Sequence, residues 1–454
     1  MRFEAINPAT GALLRRVEAH AADAVGRIVE QSATAFHAWR TEPFSARSAL
    51  LRRAAELLRA EQEHHARLIT MEMGKPIAQS RAEVEKCAWV CAWYADHAEA
   101  MLAPEPLASD AAESYVRHDP LGPVLAVMPW NFPYWQVFRF AAPALMAGNT
   151  CLLKHASNVP GCALAIEQLF RDAGLPTACF QTLLIPSSGV QAVIDHPAVA
   201  AVTLTGSESA GSHVGAGAGR QLKKIVLELG GSDPFIVLGD ADVDAAARTG
   251  AVARMINTGQ SCIAAKRFIV VEAVAEDFLE RFVAAVAAMR VGDPLSEDSE
   301  IGAMAREDLL LDLDAQVRAS IAMGADLRTG GRRLDGPGVF YMPTVLAGVR
   351  KGMPVFDEET FGPVAAVTVV RDADEAITTA NDTPFGLGAS LWTRDRARAR
   401  QLAARIEAGA VFINGMVKSD PRLPFGGIKR SGHGRELSHH GIREFVNIKT
   451  VWIA

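Results

Sequence analysis

Residues 223–238, KKIVLELGGSDPFIVL, contain two apolar runs separated by a polar turn with paired glycines. Each run has the length and composition of a buried strand. Runs of the same kind recur with helical segments between them, in GPVLAVMPWN (122–131), NTCLLKHASN (149–158), VAAVTLTGSESAG (199–211), KRFIVVE (266–272), FGPVAAVTVVRD (361–372) and GAVFINGM (409–416). Strands that alternate with helices pair in parallel, because each crossover needs a connection of helix size. The pattern predicts two α/β units that join near Gly230 and Gly231.

The composition indicates a large globular protein. A chain of 454 residues exceeds the usual size of one hydrophobic core, and its 49% hydrophobic and 22% charged content fits an enzyme better than a fibrous or disordered chain. The net charge of -6 argues against nucleic acid or an anionic membrane as a partner. The N-terminus lacks the layout of a signal peptide, and no apolar run of about 18 residues occurs, so we expect a cytoplasmic protein.

The six cysteines are scattered without CxxC pairs, which argues against a disulfide framework or a metal site. Cys87 and Cys91 stand four residues apart in a helical pattern and are expected on a buried face. Cys262 differs, because it ends the polar stretch NTGQSC (257–262) that follows the apolar segment AVARMI (251–256). Cys262 is expected to act as a nucleophile, rather than to pack in the core, only if a base and a site for negative charge lie nearby.

Three other segments carry residues suited to such chemistry. Gly206, Ser207 and Gly211 stand between a buried strand and a helix, where backbone amides can meet a phosphate, although the spacing is not GxGxxG. Glu228 ends an apolar run, and partial burial there would raise its pKa toward that of a general base; a carboxylate that caps a turn is the alternative. Asn131 lies between two prolines in PWNFP, so its amide would be held rigidly enough to stabilise an oxyanion, although an ordinary rigid loop looks similar.

Taken together, the motifs resemble the NAD(P)-dependent aldehyde dehydrogenase superfamily over nearly the whole chain. The matching motifs, in the family's order and spacing, are PWNFP (129–133), TGSxxxG (205–211), LELGG (227–231), GQSC (259–262), EETFGPV (358–364) and PFGGIKRSGHGRE (424–436). Within the superfamily, KHASN, GSDPFIVL and SDPRLPFGG look most like bacterial succinate-semialdehyde dehydrogenases.

The resemblance implies an aldehyde dehydrogenase-like α/β fold with three parts. These are a Rossmann-type cofactor-binding domain of residues 1–102 and 122–230, an α/β catalytic domain of residues 231–437, and a small β oligomerisation element of residues 103–121 and 438–454. A homodimer or homotetramer is expected from it.

The resemblance also implies the reaction. Cys262 would attack the aldehyde carbon, the thiohemiacetal would give a hydride to the nicotinamide, and the thioester would be hydrolysed with Glu228 as general base. Asn131 and the backbone N–H of Cys262 would stabilise the oxyanion. The family's cofactor contacts match Trp130, Asn131, Lys154, Ser157, Gly206, Ser207, Gly211, Leu229, Glu359 and Phe361.

The cofactor prediction depends on Ser157. Many members that prefer NAD carry a glutamate at this position, which binds the ribose hydroxyls. A carboxylate would repel a 2′-phosphate, so its absence, together with Lys154, makes NADP acceptable. The cofactor is therefore expected to be NADP or NAD, with NADP the favoured one.

The substrate prediction depends on Arg139, which matches an arginine of succinate-semialdehyde dehydrogenases and would pair with the far carboxylate of a small semialdehyde. Ser419 is a second candidate for the same carboxylate, and a solvated Arg139 on a helix surface is the alternative. Glutarate semialdehyde, other short ω-oxo acids and uncharged aldehydes stay open as substrates. Two departures bear on the site: Ile256 stands where relatives often carry an arginine, and Phe140 replaces a common lysine of the proton relay, for which water or Glu436 is a hypothetical substitute.

Two other functions are less favoured. A CoA-acylating enzyme would not need Glu228, because coenzyme A rather than water takes the thioester. A non-catalytic nucleotide-binding protein would not need Cys262, Glu228 and Asn131 together.

Overall fold

A computed structural model describes residues 1–454. Most of its strands fall into two large sheets, each covered by helices, as the alternating apolar runs predicted. The strands are β1 (Arg2–Ile6), β2 (Leu13–Glu18), β3 (Glu105–Pro106), β4 (Glu113–Pro120), β5 (Pro123–Met128), β6 (Thr150–His155), β7 (Phe180–Thr182), β8 (Ala201–Thr205), β9 (Lys224–Glu228), β10 (Asp233–Val237), β11 (Ala265–Val271), β12 (Asp326–Thr329), β13 (Thr344–Ala347), β14 (Val364–Val370), β15 (Gly388–Trp392), β16 (Ala410–Ile413), β17 (Gly432–His433) and β18 (Val446–Ile453).

Most of the helices precede the first sheet or connect parallel strands. They are α1 (Ala22–Trp39), α2 (Phe44–Ala60), α3 (Gln62–Met73), α4 (Ile77–Met101), α5 (Trp135–Met146), α6 (Pro160–Asp172), α7 (Val190–Asp195), α8 (Glu208–Arg220), α9 (Val243–Met255), α10 (Glu272–Ala287), α11 (Glu307–Ala322), α12 (Pro354–Asp357), α13 (Ala373–Asn381), α14 (Arg396–Ala403) and α15 (Ser438–Ile442). No helix is long and apolar enough to cross a membrane.

The first sheet has the order β17-β9-β8-β5-β6-β7, and its pairs from β9 to β7 are parallel. The largest apolar core packs the helices α2 to α6 against this sheet. Cys87 and Cys91 are buried as expected, and Cys151, Cys162 and Cys179 are buried as well, so these five cysteines have a packing role.

The second sheet has the order β12-β13-β14-β11-β10-β15-β16 and is parallel apart from β12. The link from the first sheet to the second is short, because β9 ends at Glu228 and β10 begins at Asp233. The chain later returns to the first sheet, where β17 pairs antiparallel with β9. Residues of the predicted catalytic segment 231–437 therefore extend the cofactor-side sheet, and the predicted domain bounds remain predictions.

A third sheet has the order β18-β4-β3 and joins the two segments assigned to oligomerisation. β4 and β18 pair antiparallel from Glu113↔Ile453 to Val446↔Pro120.

The sequence did not predict the hairpin of β1 and β2 near the N-terminus. Its second strand is almost wholly exposed and so lacks the apolar alternation that marks a half-buried strand.

Candidate active site

The segment before Cys262 forms a tightly held loop after α9. Asn257, Thr258 and Gly259 take left-handed backbone conformations with φ of 55, 56 and 73°. Such conformations are uncommon for residues with a side chain, above all for a β-branched one. The side-chain amide of Asn257 donates to the carbonyl of Asn131 at 2.8 Å, which ties this loop to the PWNFP segment. The position of the thiol is therefore fixed relative to that segment.

Arg254, at the end of α9, fastens the same loop to a second wall. Its guanidinium is fully buried and donates to the carbonyls of Thr360 and Val364 at 2.9 and 2.6 Å, and to that of Gly362. These carbonyls belong to the EETFGPV segment. Arg254 therefore has a structural role, because its Nε and Nη2 donate to backbone carbonyls.

Asn131 is held on both sides of its amide. Nδ2 donates to the carbonyl of Gln260 at 3.0 Å, and Oδ1 accepts from Nε2 of Gln136 at 3.1 Å. A side-chain amide carries two N–H donors, so Nδ2 keeps a second hydrogen for a ligand oxygen. The rigid donor that the two prolines predicted is present, with Gln136 as a support that the sequence did not reveal.

Glu83 orients the start of α5. Its Oε1 accepts from the backbone N–H groups of Tyr134 and Trp135, both at 2.9 Å, and the carboxylate is ion-paired with buried Lys75. A carboxylate at a helix N-terminus satisfies donors that have no partner within the helix. Glu83 thereby fixes the end of PWNFP and the direction of the helix that carries the following site residues.

Glu228 is buried at the end of β9, and neither of its carboxylate oxygens has a hydrogen-bond partner. Burial, followed by the charge of Glu436, raises the pKa of Glu228 well above its usual range, while Arg139 and Arg435 act against the shift. The backbone at Gly426 passes so close that a Cβ there would lie 2.6 Å from Oε1. This is the environment that suits a general base, rather than a carboxylate that caps a turn.

Arg139 is only 2% exposed, so the alternative of a solvated surface arginine is wrong. Its guanidinium forms an ion pair with Glu436, donates to Oγ1 of Thr205 at 3.3 Å and lies 4.5 Å from the centre of the Phe425 ring. Arg139 therefore already has a carboxylate partner within the protein, which is Glu436.

Two cavities meet at Cys262. The first, of about 240 Å³, is lined by Pro129, Trp130, Asn131, Gln136, Thr205, Gly206, Ser207, Glu228, Leu229, Gly230, Cys262, Leu309, Glu359 and Phe361. The second, of about 190 Å³, has Arg139 and Ser419 in its lining, together with Lys86, Ile256 and Phe425. Gln136 and Cys262 line both cavities, so the thiol stands at the opening between them.

The first cavity brings together most of the residues predicted to bind the cofactor. Trp130 and Phe361 stand edge to face, with ring centres 5.8 Å apart. Glu359 accepts from the Gly231 N–H at 3.1 Å and lies 3.3 Å from Nζ of Lys266. A Cβ on Gly230 would collide with this carboxylate, which gives the paired glycines of LELGG a physical reason.

Three predicted cofactor residues do not line this cavity. Gly211 lies under Leu229, where a Cβ would come within 2.5 Å of Cδ2, so it makes room for that side chain. Lys154 is buried at the end of β6, on the same edge of the sheet as Gly206, and Ser157 is exposed just beyond it. Burial lowers the pKa of Lys154, with no carboxylate beside it to offset the effect. An unpaired cation on this edge fits a cofactor phosphate.

The surroundings of Cys262 favour the neutral form of its thiol. Burial raises its pKa to about 11, and the positive charges of Arg139 and Lys266 oppose the shift only in part. Lys266 donates to the carbonyls of Ser261 and Cys262 at 3.0 and 2.7 Å, so its charge lies directly behind the nucleophile position. The sequence reading did not identify Lys266, which stands at the start of a strand-like run.

Comparison with known proteins identifies the family to which this chain belongs. The sequence profile of the aldehyde dehydrogenase family matches residues 1–451. The chain belongs to the aldehyde dehydrogenase family. It is 54% identical over 454 residues to a probable succinate-semialdehyde dehydrogenase [NADP(+)] of Synechocystis sp., with 100% of both chains covered. It is 52% identical over 447 residues to a succinate semialdehyde dehydrogenase [NAD(P)+] of Escherichia coli, with 98% of this chain and 97% of the relative covered.

A solved structure shows the same family fold. The succinic semialdehyde dehydrogenase of Streptococcus pyogenes in complex with NADP+ superposes with a TM-score of 0.97 at 37% identity, and 99% of each chain is covered. The aldehyde dehydrogenase-like fold predicted from the motifs is therefore confirmed.

Replacement of Glu228 by Gln tests the role of its buried carboxyl group. A base acts only when ionised, and the pKa of Glu228 is raised, so we expect kcat of the parent to fall as the pH is lowered through a range well above that of an ordinary glutamate. In Glu228→Gln we expect kcat to drop by about 10²- to 10⁴-fold and this acidic limb to vanish. Measured kcat–pH profiles check it, and a variant profile that keeps the parent's acidic limb would contradict the role.

Proposed function

We propose that the protein oxidises succinate semialdehyde to succinate with NADP+. The single observation that carries this proposal is the position of Cys262 at the meeting of two cavities, with Asn131 and Glu228 on the wall of one and cationic side chains on the wall of the other. The names of the relatives in Synechocystis sp. and Escherichia coli support the same substrate and cofactor.

The reaction follows from the groups around the thiol. The Cys262 thiol loses its proton to the ionised form of Glu228, which lines the same cavity and passes the proton on to water. The thiolate forms a C–S bond to the aldehyde carbon, and the oxyanion receives hydrogen bonds from Nδ2 of Asn131 and the Cys262 N–H. NADP+, when bound, would accept the hydride of the thiohemiacetal carbon, which leaves a thioester at Cys262. Water then attacks the thioester and loses its proton to Glu228, after which the C–S bond breaks, the carboxylate leaves and the thiolate is restored. The presence of a buried carboxyl group at Glu228 favours water over coenzyme A as the acceptor of the acyl group.

In this proposal, Trp130, Leu229, Glu359 and Phe361 surround the nicotinamide end of the cofactor. Gly206 and Ser207 present the N-terminus of α8 to the pyrophosphate, since backbone amides and the helix dipole there favour an anion. Arg139 and Ser419 contribute to the wall that faces the far end of the semialdehyde.

The proposed substrate predicts a clear order among aldehydes. We expect kcat/KM for succinate semialdehyde to exceed that for butanal by about 10- to 100-fold, the value of a charge-assisted hydrogen bond to the carboxylate. NADPH formation at 340 nm measures both, with Cys262→Ala as the inactive control. Equal values for the two aldehydes would refute the substrate, and formation of an acyl-CoA in place of the free acid would refute the hydrolytic reaction.

The cofactor proposal predicts the effect of a carboxylate at residue 157. We expect the parent to prefer NADP+ and Ser157→Glu to reduce the ratio of kcat/KM for NADP+ over NAD+ by roughly tenfold or more, because the new charge repels the 2′-phosphate. Ser157→Ala is the matched control and should keep the parent's preference. A parent enzyme that prefers NAD+ would overturn the proposal.

A homodimer or homotetramer is proposed from the third sheet. β18 exposes Ile448, Trp452 and Ile453 by 60%, 53% and 46%, and exposed apolar side chains on a strand favour association. We expect light scattering after size exclusion to give two or four times the mass of 48.5 kDa, and Trp452→Lys to shift the equilibrium toward the monomer. A parent protein that is monomeric at micromolar concentration would exclude this assembly. A cytoplasmic location stays a prediction of the sequence.

A further inference from the structure

We propose that Lys86, together with Ser419, forms the principal binding site for the far carboxylate of the semialdehyde. This inference rests on the proposed function and assigns its substrate recognition to a helix, α4, that carries none of the family motifs.

Lys86 reaches the substrate cavity from α4. Its Nζ donates to Oγ of Ser419 at 2.7 Å and lies 4.3 Å from the centre of the Trp135 ring. All three side chains line the cavity that ends at Cys262. An ammonium group has three donors, and the bond to Ser419 uses one of them. The side chain is therefore held in place with donors left for a ligand.

The charge of Lys86 has no carboxylate partner of its own. The two acidic groups whose charge acts on it are already paired, since Glu83 binds Lys75, and Asp420 binds Arg422 at 2.6 Å. Burial lowers the pKa of Lys86 to about 8, and the charge of Arg139 adds to this shift. A half-buried cation without a partner is unfavourable, and a substrate carboxylate would remove that disadvantage.

Arg139 differs from Lys86 in this respect. Its guanidinium is ion-paired with Glu436 and is stacked on Phe425. If Arg139 bound the substrate, its guanidinium would have to bind both Glu436 and the substrate carboxylate. Otherwise Glu436 would be left buried without a partner, which costs free energy. Arg139 therefore contributes positive potential to the cavity, while the direct contact falls to Lys86.

The remaining wall strengthens the assignment. Ile256, Ile263, Met416 and Val417 line the same cavity and offer no donor. The other lysine in the lining, Lys418, is exposed to solvent, where water screens its charge. The amides of Gln79 and Gln136 in this lining already donate to the carbonyl of Glu300 and to Oδ1 of Asn131, and Ser261 adds a neutral hydroxyl. The ammonium group of Lys86, beside the hydroxyl of Ser419, is therefore the buried cation of this cavity that has no carboxylate partner.

The test compares Lys86→Met with Lys418→Met, which removes the exposed lysine of the same cavity. Three substrates separate charge from shape: succinate semialdehyde, its methyl ester and butanal. In Lys86→Met we expect kcat/KM for succinate semialdehyde to fall by about 10- to 100-fold, mainly through KM, because the lost contact is made before and during the reaction. Values for the ester and butanal should stay within about twofold, as should all three values in Lys418→Met.

The outcomes separate this inference from the proposed function. If the parent does not favour succinate semialdehyde over butanal, the proposed substrate fails. If the parent favours it, and Lys86→Met keeps that preference while Arg139→Met loses it, the carboxylate site belongs to Arg139 and the inference is overturned. Activity of Lys86→Met toward butanal shows that the variant is folded.

The parent enzyme provides a second measurement that needs no variant. Lys86 loses its charge as the pH rises through about 8, so the ratio of kcat/KM for succinate semialdehyde over butanal should fall above that pH. Ionisation of Cys262 affects both substrates and cancels in the ratio. The other groups facing Lys86 are Glu83 and Cys87 on α4, Arg139 on α5 and Asp420; burial raises the pKa of Cys87 well above this range, and Arg422 lowers that of Asp420. A ratio constant from pH 7 to 9 would contradict the inference.

Discussion

The active site depends on the short antiparallel contact of β17 with β9. Through it the end of the second unit lies against the carboxyl end of the first sheet, over Glu228. Ser431 secures the contact, because its hydroxyl donates to the carbonyl of Gly230 at 2.6 Å and accepts from the N–H of Gly386 at 3.0 Å. The segment contributes to the burial of Glu228, and burial is the largest cause of the raised pKa of its carboxyl group. The acid–base property of the site is thus a result of how two sheets are joined.

The charges enclosed by this contact explain the resting state of the site. The charge of Arg139 acts on both Glu228 and Glu436, but its guanidinium is ion-paired with Glu436. Burial, followed by the charge of Glu436, raises the pKa of Glu228 well above its usual range, although Arg139 and Arg435 act against the shift. Burial also raises the pKa of the Cys262 thiol to about 11. The surroundings therefore favour the neutral forms of both Cys262 and Glu228.

The sequence predicted those features that leave a local pattern. The strands of both sheets were recognisable because parallel strands are apolar on both faces, and the loop of Cys262 was recognisable by its motif. The contact of Lys86 with Ser419 joins residues 333 positions apart and leaves no such pattern. Gln136, Glu83 and Lys266 escaped notice for the same reason, since each acts through a partner that only the fold brings close. The ion pair between Arg139 and Glu436 could not be predicted either, because the two residues are far apart in the sequence and no local pattern links them.

The positive charge on this side of Glu228 is carried by Arg139, because the next residue on α5, Phe140, is part of the core. Phe140 is buried, with its ring edge-on to Phe445 at 5.7 Å, so the position is part of the core and could not hold an ammonium group without a large desolvation cost. The positive charge stands one position earlier on α5, where the Phe425 ring covers the guanidinium. An arginine does not give up its proton in a protein, so it cannot pass one on. We therefore expect a proton that leaves Glu228 on this side to travel through Glu436 or water, and Arg139 to act on that transfer only through its charge.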